Sequence, residues 1–230
     1  MLAARSREHA SSYSSLSEPR CGSPAMSATV ETLNGAALSA ALPELAALRI
    51  AVFRAYPYLY EGDPAYEARY LTAYAESPGA IVVGAFVDGR LVGAATGAPM
   101  EDHAEELAAP FAAHGYPLDQ VFYFGESVLL PEHRGRGIGH AFFDHREAQA
   151  RALGRRWACF CAVVREPDDP RRPPGYTPLD PFWRKRGYAP VPGLEASFAW
   201  PEVGPEVGPE VGAGPLESVA HQMQFWMRTP

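Results

Sequence analysis

The chain has 230 residues, 47% of them hydrophobic, which is enough to bury a full core and favours one domain with extensions over two. A net charge of -7 and a pI near 5.5 argue against nucleic acid or an anionic membrane as the main partner. Cys21, Cys159 and Cys161 are too few for a disulfide framework, and no stretch reads as the ~20 apolar residues of a membrane span or as a secretory leader, so the expected setting is soluble, reducing and cytoplasmic.

Residues 1–28 are polar, small and irregular and are expected to form a disordered tail, with Met26 an alternative start to Met1. A mitochondrial targeting peptide is disfavoured by Glu8, Glu18 and Pro19. Residues 29–230 are then one domain. Leu42 to Phe53 has helical periodicity with Pro43 in its first turn. Residues 54–64 form a loop carrying Tyr56, Tyr58, Tyr60, Glu61 and Asp63. A second helix over 65–76 bears Tyr66, Tyr70 and Tyr74 at i, i+4 and i+8, a stripe that usually marks the edge of a core. Residues 80–87 and 90–96 flank Asp88-Gly89, the pair a two-residue type I′ hairpin turn requires. A short helix follows over 101–113, broken by Pro110.

Val121 to Leu130 is aromatic and β-branched, as suits a single central strand, and Pro131 ends it. Arg134-Gly135-Arg136-Gly137-Ile138-Gly139 comes next, opening a helix that ends near Gly154. Three alternate glycines let several N–H groups converge at a helix start, an anion-binding nest, and two arginines add charge-assisted contacts to phosphate. The dinucleotide fingerprint and the P-loop have other spacings. Charge is uneven in the same sense: residues 131–190 hold 12 Arg/Lys against 7 Asp/Glu, within a chain of net charge -7.

Further on, 157–165 reads as a strand, 166–181 as a Pro-rich loop, 179–186 as a short helix closed by Gly187, and 193–200 and 219–227 as two strands. Residues 201–215 between these strands begin with Pro-Glu-Val-Gly, repeated from Pro205 and Pro209, and read as a lengthened hairpin loop with no chemical role. Cys159 and Cys161 share a strand face and cannot pair with each other, and His133 and His140 lack metal-ligand spacing, so no metal is expected.

The strand, Pro131, the Arg-x-x-Gly-x-Gly turn and the following helix resemble motif A of the GCN5-related N-acetyltransferase (GNAT) superfamily. The order of elements from about Ala41 onward is similar as well. The resemblance implies an α/β fold with a mixed, mostly antiparallel, splayed sheet flanked by helices. It further implies acetyl-CoA as acyl donor, its pyrophosphate on Arg134, Gly135, Arg136, Gly137, Ile138 and Gly139 and its pantetheine arm along Val128, Leu129 and Leu130. The expected acceptor is a small-molecule amine near Tyr56, Tyr58, Tyr60 and Glu61, with protein amino groups as the alternative and a homodimer left open.

Such a transfer needs a neutral amine and a stabilised oxyanion. A lysine-like amine is only about one part in 2,500 neutral at pH 7, a handicap of roughly 4.6 kcal/mol that a base must help overcome. Glu126 is the carboxylate best placed for it, directly or through water, and a backbone N–H near Val128 or Leu129 is the expected oxyanion donor. Where the family carries a tyrosine as general acid beside the cofactor, this chain has Trp183; Tyr176 or Tyr123 would then substitute, or the thiolate leaves without an acid. An acyl-Cys161 route and a non-catalytic acyl-CoA sensor are the rival readings.

Overall fold

The computed structural model describes residues 28–103, 105–203 and 218–230. The expected tail, apart from Ala28, and the loop beyond Val203 lie outside them.

The first element is a strand where none was expected: β1 (Thr29–Leu33) pairs antiparallel with β2 (Ile81–Val87), from Thr29↔Phe86 to Leu33↔Val82. Helix α1 (Gly35–Phe53) starts seven residues before the expected Leu42, because the added turns are rich in alanine and leucine, and it accommodates Pro43 in its interior. At 19 residues and a mean hydropathy of 1.6 it is long and apolar enough to span a membrane, contrary to the sequence expectation. Here Leu38, Leu45, Leu48 and the charged Arg49 are buried against the sheet and α2 (Pro64–Glu76). Asp63 caps α2, accepting the Tyr66 N–H at 2.6 Å, which accounts for this carboxylate without a ligand.

Asp88 (φ 51°) and Gly89 (φ 74°) make the two-residue turn between β2 and β3 (Arg90–Pro99), as the pair predicts, although β3 runs three residues further than expected. Helix α3 (Glu105–Ala113) continues through Pro110 rather than breaking there. The expected single central strand is two: β4 (Val121–Tyr123) and β5 (Ser127–Leu129). Beyond them come α4 (Ile138–Ala152), β6 (Trp157–Val163), α5 (Asp180–Lys185), β7 (Ala189–Pro201) and β8 (Ser218–Arg228). Strand β7 begins before the expected Gly193, with an irregularity between Pro190 and Glu195 absorbing the turn-like residues.

The sheet has eight strands in the order β1-β2-β3-β4-β6-β8-β7, with β5 paired to β3; only β4 and β6 run parallel. Helices α1 and α2 cover Val82, Ala94, Ala98 and Val128 on one face. On that same face, α3 covers Val121, Tyr123 and Cys159. Helix α4 covers the opposite face, where Phe142 and Phe143 pack with Phe122, Phe124 and Phe160. This is the mixed, mostly antiparallel, helix-flanked sheet that the resemblance implied.

Candidate active site

The break between β4 and β5 creates the site. Strand β3 advances three residues from Ala98 to Ala95 while its partner advances four, from Tyr123 to Ser127. One extra residue makes a β-bulge and reverses the pleat beyond it. Unbroken alternation would send Glu126 to the α4 face with Phe122 and Phe124. The bulge turns it instead toward α1 and α2. Gly125 is required there by close approach: a Cβ would stand 2.1 Å from the Tyr74 hydroxyl and 2.7 Å from Thr96 Oγ1.

The same break opens the sheet. Among the described residues, the last link from this segment to β6 is the Phe124 N–H donating to the Cys159 carbonyl at 2.7 Å, after which β5 pairs with β3 alone. The Leu130 N–H donates to the Val92 carbonyl, so by antiparallel alternation Val128 and Leu130 turn their backbone groups to β3, while Ser127 and Leu129 present theirs to the gap. Of the three residues expected to line the gap with backbone groups, Leu129 alone does so by this geometry.

From the opposite face Arg146 holds the break. It is 1% exposed, and its guanidinium is held by carbonyl and hydroxyl oxygens. Nη1 donates to the carbonyls of Glu126 (2.9 Å) and Thr96 (3.3 Å), Nη2 donates to Ser127 Oγ (2.8 Å), and the guanidinium stacks over Phe124 and Phe143. Burial pushes its pKa down to about 10.

At the far end of β5, Gly135 (φ 73°) and Gly137 (φ 84°) adopt the left-handed backbone that favours glycine, with open space where a Cβ would be. Gly137 is the N-cap of α4 and supplies no side chain, leaving the first-turn N–H groups without intrahelical partners. Arg134 and Arg136 are exposed beside them, and Arg134 Nε donates to the Leu129 carbonyl at 3.3 Å. An open nest flanked by two exposed arginines that have no carboxylate partner among the described residues, continuous with the gap side of β5, fits a pyrophosphate on a long flexible arm.

Glu126 is enclosed. Its side chain is 3% exposed; Oε1 lies 2.6 Å from Arg49 Nη1 and Oε2 accepts from the Tyr70 hydroxyl at 2.8 Å. Arg49 also pairs with the fully buried Glu67 and stacks on the Tyr70 ring at 4.2 Å. Tyr70 and Tyr74 share a hydrogen bond of 3.1 Å, and burial holds both phenols well above the ordinary range. Also on this face, the Tyr123 hydroxyl and Cys161 Sγ are 3.1 Å apart, and burial raises the Cys161 thiol to about 11. His103 meets the Tyr123 ring edge-on and is held below its usual value by burial.

The loop between α1 and α2 closes this face. Arg165 donates to the carbonyls of Pro57 (2.7 Å) and Tyr58 (3.1 Å), and Trp200 Nε1 donates to Tyr58 (3.0 Å). Tyr56 packs edge-on against Tyr176, and Tyr58 lies tilted against Phe53. Tyr60 and Glu61 turn toward the end of β7 instead: Tyr60 bridges Glu202, the Glu61 N–H donates to the Pro201 carbonyl, and the Glu61 carboxylate pairs with Arg54 at 2.6 Å. Trp183 packs on the α4 face against Phe160 and Trp226, with ring centroids near 5 Å.

The structure thus brings Glu126, β5 and the glycine turn together along one line, with Tyr56 and Tyr58 on the Glu126 face. Sequence reasoning did not single out Arg49, Glu67, Arg146 or Arg165. A signal existed for two of them, since Arg49 interrupts the apolar stripe of α1 and Arg146 follows Phe142 by one helical turn. Among the described residues no His, Cys, Asp and Glu group could hold a metal.

No curated protein sequence matches the chain. Among solved structures, yncA of Salmonella typhimurium, determined with its cofactor acetyl-CoA, is similar at a TM-score of 0.53 and 11% identity, covering 88% of this chain and 93% of that one. The ribosomal-protein-alanine N-acetyltransferase of Brucella melitensis gives 0.53 at 15% identity, covering 88% and 99%. An acetyltransferase-type structure from Acinetobacter baylyi gives 0.54 at 11%, covering 89% and 93%. At these identities the likeness is one of fold. The sequence profile of the acetyltransferase (GNAT) family matches residues 45–170, more than half of the chain and the whole of the bulge, gap and glycine turn, and the chain therefore belongs to the acetyltransferase (GNAT) family.

Proposed function

We propose that this family member transfers the acetyl group of acetyl-CoA to the amine of a small molecule, by direct attack within a ternary complex. The observation that carries this reading is the bulge at 124–126, which in one step opens β5 away from β6 and turns Glu126 to the α1–α2 face. The N–H groups of the Gly135–Gly139 turn, with Arg134 and Arg136, would hold the pyrophosphate, and the free edge of Ser127 and Leu129 the pantetheine arm. Bound acetyl-CoA supplies a thioester carbonyl open to attack. The Leu129 N–H, aimed into the gap, is the candidate oxyanion donor, and Glu126 the proton acceptor.

Tyr56 and Tyr58 give the acceptor side aromatic walls, with Tyr60 and Glu61 at its rim; this suits a compact cationic or aromatic amine. Trp183, packed among aromatic rings, contributes shape and no proton. The raised Cys161 thiol argues for direct attack over an acyl-cysteine. Calorimetry with acetyl-CoA, CoA and ATP tests the cofactor assignment. Acetyl-CoA should bind with ATP much weaker, and R134A/R136A should lower acetyl-CoA affinity at least ~10-fold, two charge-assisted contacts being removed. Unchanged affinity in the double variant would remove the pyrophosphate from the glycine turn.

A further inference from the structure

The tyrosine stripe on α2 has no part in the function so far. Tyr66 is 50% exposed and stacks on the half-buried Tyr70, whose hydroxyl bonds both Glu126 and the buried Tyr74. Both oxygens of Glu126 are covered, one by Arg49 and one by Tyr70, and only 3% of the side chain is exposed. Among the described residues, these contacts leave that carboxylate no free oxygen to offer an amine. Tyr70 is, among the same described residues, the one hydroxyl on it, and the Tyr70 residue as a whole is half-buried where Glu126 is buried.

We propose that Tyr70 is a catalytic proton relay: as the acceptor nitrogen gives its proton to Tyr70 Oη, the phenolic proton moves to Glu126 Oε2. One N–H and one O–H bond break, one O–H forms on each of Tyr70 and Glu126, and the nitrogen lone pair is freed for attack, so no phenolate accumulates. Arg49, stacked on the Tyr70 ring and paired with Glu126, fixes the angle between them. The hydroxyl of Tyr74, 3.1 Å away, fixes the rotor. The relay rests on the reading of Glu126 as base, and the test separates the two.

Thiol release from acetyl-CoA is measured with tyramine, histamine, spermidine and a peptide with a free N-terminus, and the fastest of these is carried into variants Y70F and E126Q. Y70F keeps the ring under Arg49 and removes only the relay atom. Its expected result is a fall in kcat of ~100-fold at unchanged acetyl-CoA affinity. The solvent-deuterium proton inventory should also change from bowed, with two protons in flight, to linear, which a merely structural tyrosine would not do. If E126Q loses rate while Y70F keeps both its rate and a bowed inventory, the relay is wrong and the base stands. If both variants keep full rate, the base reading falls and takes the relay with it. Thiol release with none of the four acceptors would overturn both.

Discussion

Replacing Gly125 with alanine puts a methyl group into the Tyr74 hydroxyl, and the geometry makes the cost calculable. The new Cβ would lie 2.1 Å from that oxygen and 2.7 Å from Thr96 Oγ1, but 3.1 Å from the Tyr74 ring carbon Cζ. Tyr74 is 6% exposed and Thr96 fully buried, so neither can swing into solvent. Overpacking of this kind costs about 1–3 kcal/mol, and the depth of the overlap places G125A near the top of that range. Removing the oxygen in Y74F costs ~1 kcal/mol for the lost hydrogen bond but relieves the worst contact, leaving Thr96. The double variant should therefore lose about 1–2 kcal/mol less than the sum of the two singles. Urea midpoints at constant slope measure all four corners of this cycle, and the melting temperature should follow by ~2–4 °C per kcal/mol. Additivity within ~0.5 kcal/mol would mean that the Tyr74 hydroxyl does not rest on Gly125, and the account of the bulge would have to be rebuilt.

Alkaline stability follows from the buried phenols. Burial raises Tyr74, Tyr123 and Tyr188 above 10.0, so each keeps its proton when folded and loses it when unfolded. Their contribution is fully present below pH 10 and falls by about 1.4 kcal/mol per unit for each tyrosine as pH rises beyond it, with Arg146, lowered to about 10, opposing by one such step. Tyrosinate absorbance should thus appear together with unfolding, and free titration of these phenols in a folded chain would contradict their burial. A second expectation concerns Cys161: its thiol, raised to about 11, should resist alkylation at pH 7.5 until the chain unfolds, and C161A should retain acetyl transfer. A burst of acyl-enzyme that C161A abolishes would establish the covalent route instead.

What was legible in the sequence was local. Asp88-Gly89 specifies its own turn, and the glycine run specifies its backbone because only φ and the absence of a side chain are at stake. The bulge was illegible for the opposite reason. In Val121 to Leu130 the sole punctuation is Gly125, whose meaning depends on a tyrosine 51 positions earlier in the chain, and a shift of one residue leaves no mark on composition. Glu126 was singled out in the sequence as a carboxylate near the middle of a single strand, but its enclosure by Arg49 and Tyr70 comes from two helices and no spacing rule. Strand β1 was missed because five residues with alternate half-burial look like the end of a polar tail until β2 is there to pair with them. The pull of Tyr60 and Glu61 toward β7 depends on contacts with Pro201 and Glu202, likewise invisible from either segment alone.

Those same contacts change what the Pro-Glu-Val-Gly tandem is. Its first copy is masonry: Pro201 closes β7, Glu202 joins Arg165 and Arg171, and the Val203 N–H donates to the Leu59 carbonyl at 2.7 Å. Loss of the copy at 201–203 would unmoor the loop between α1 and α2. The first three residues of the tandem therefore belong to the fold, as part of the contact between β7 and the loop joining α1 to α2.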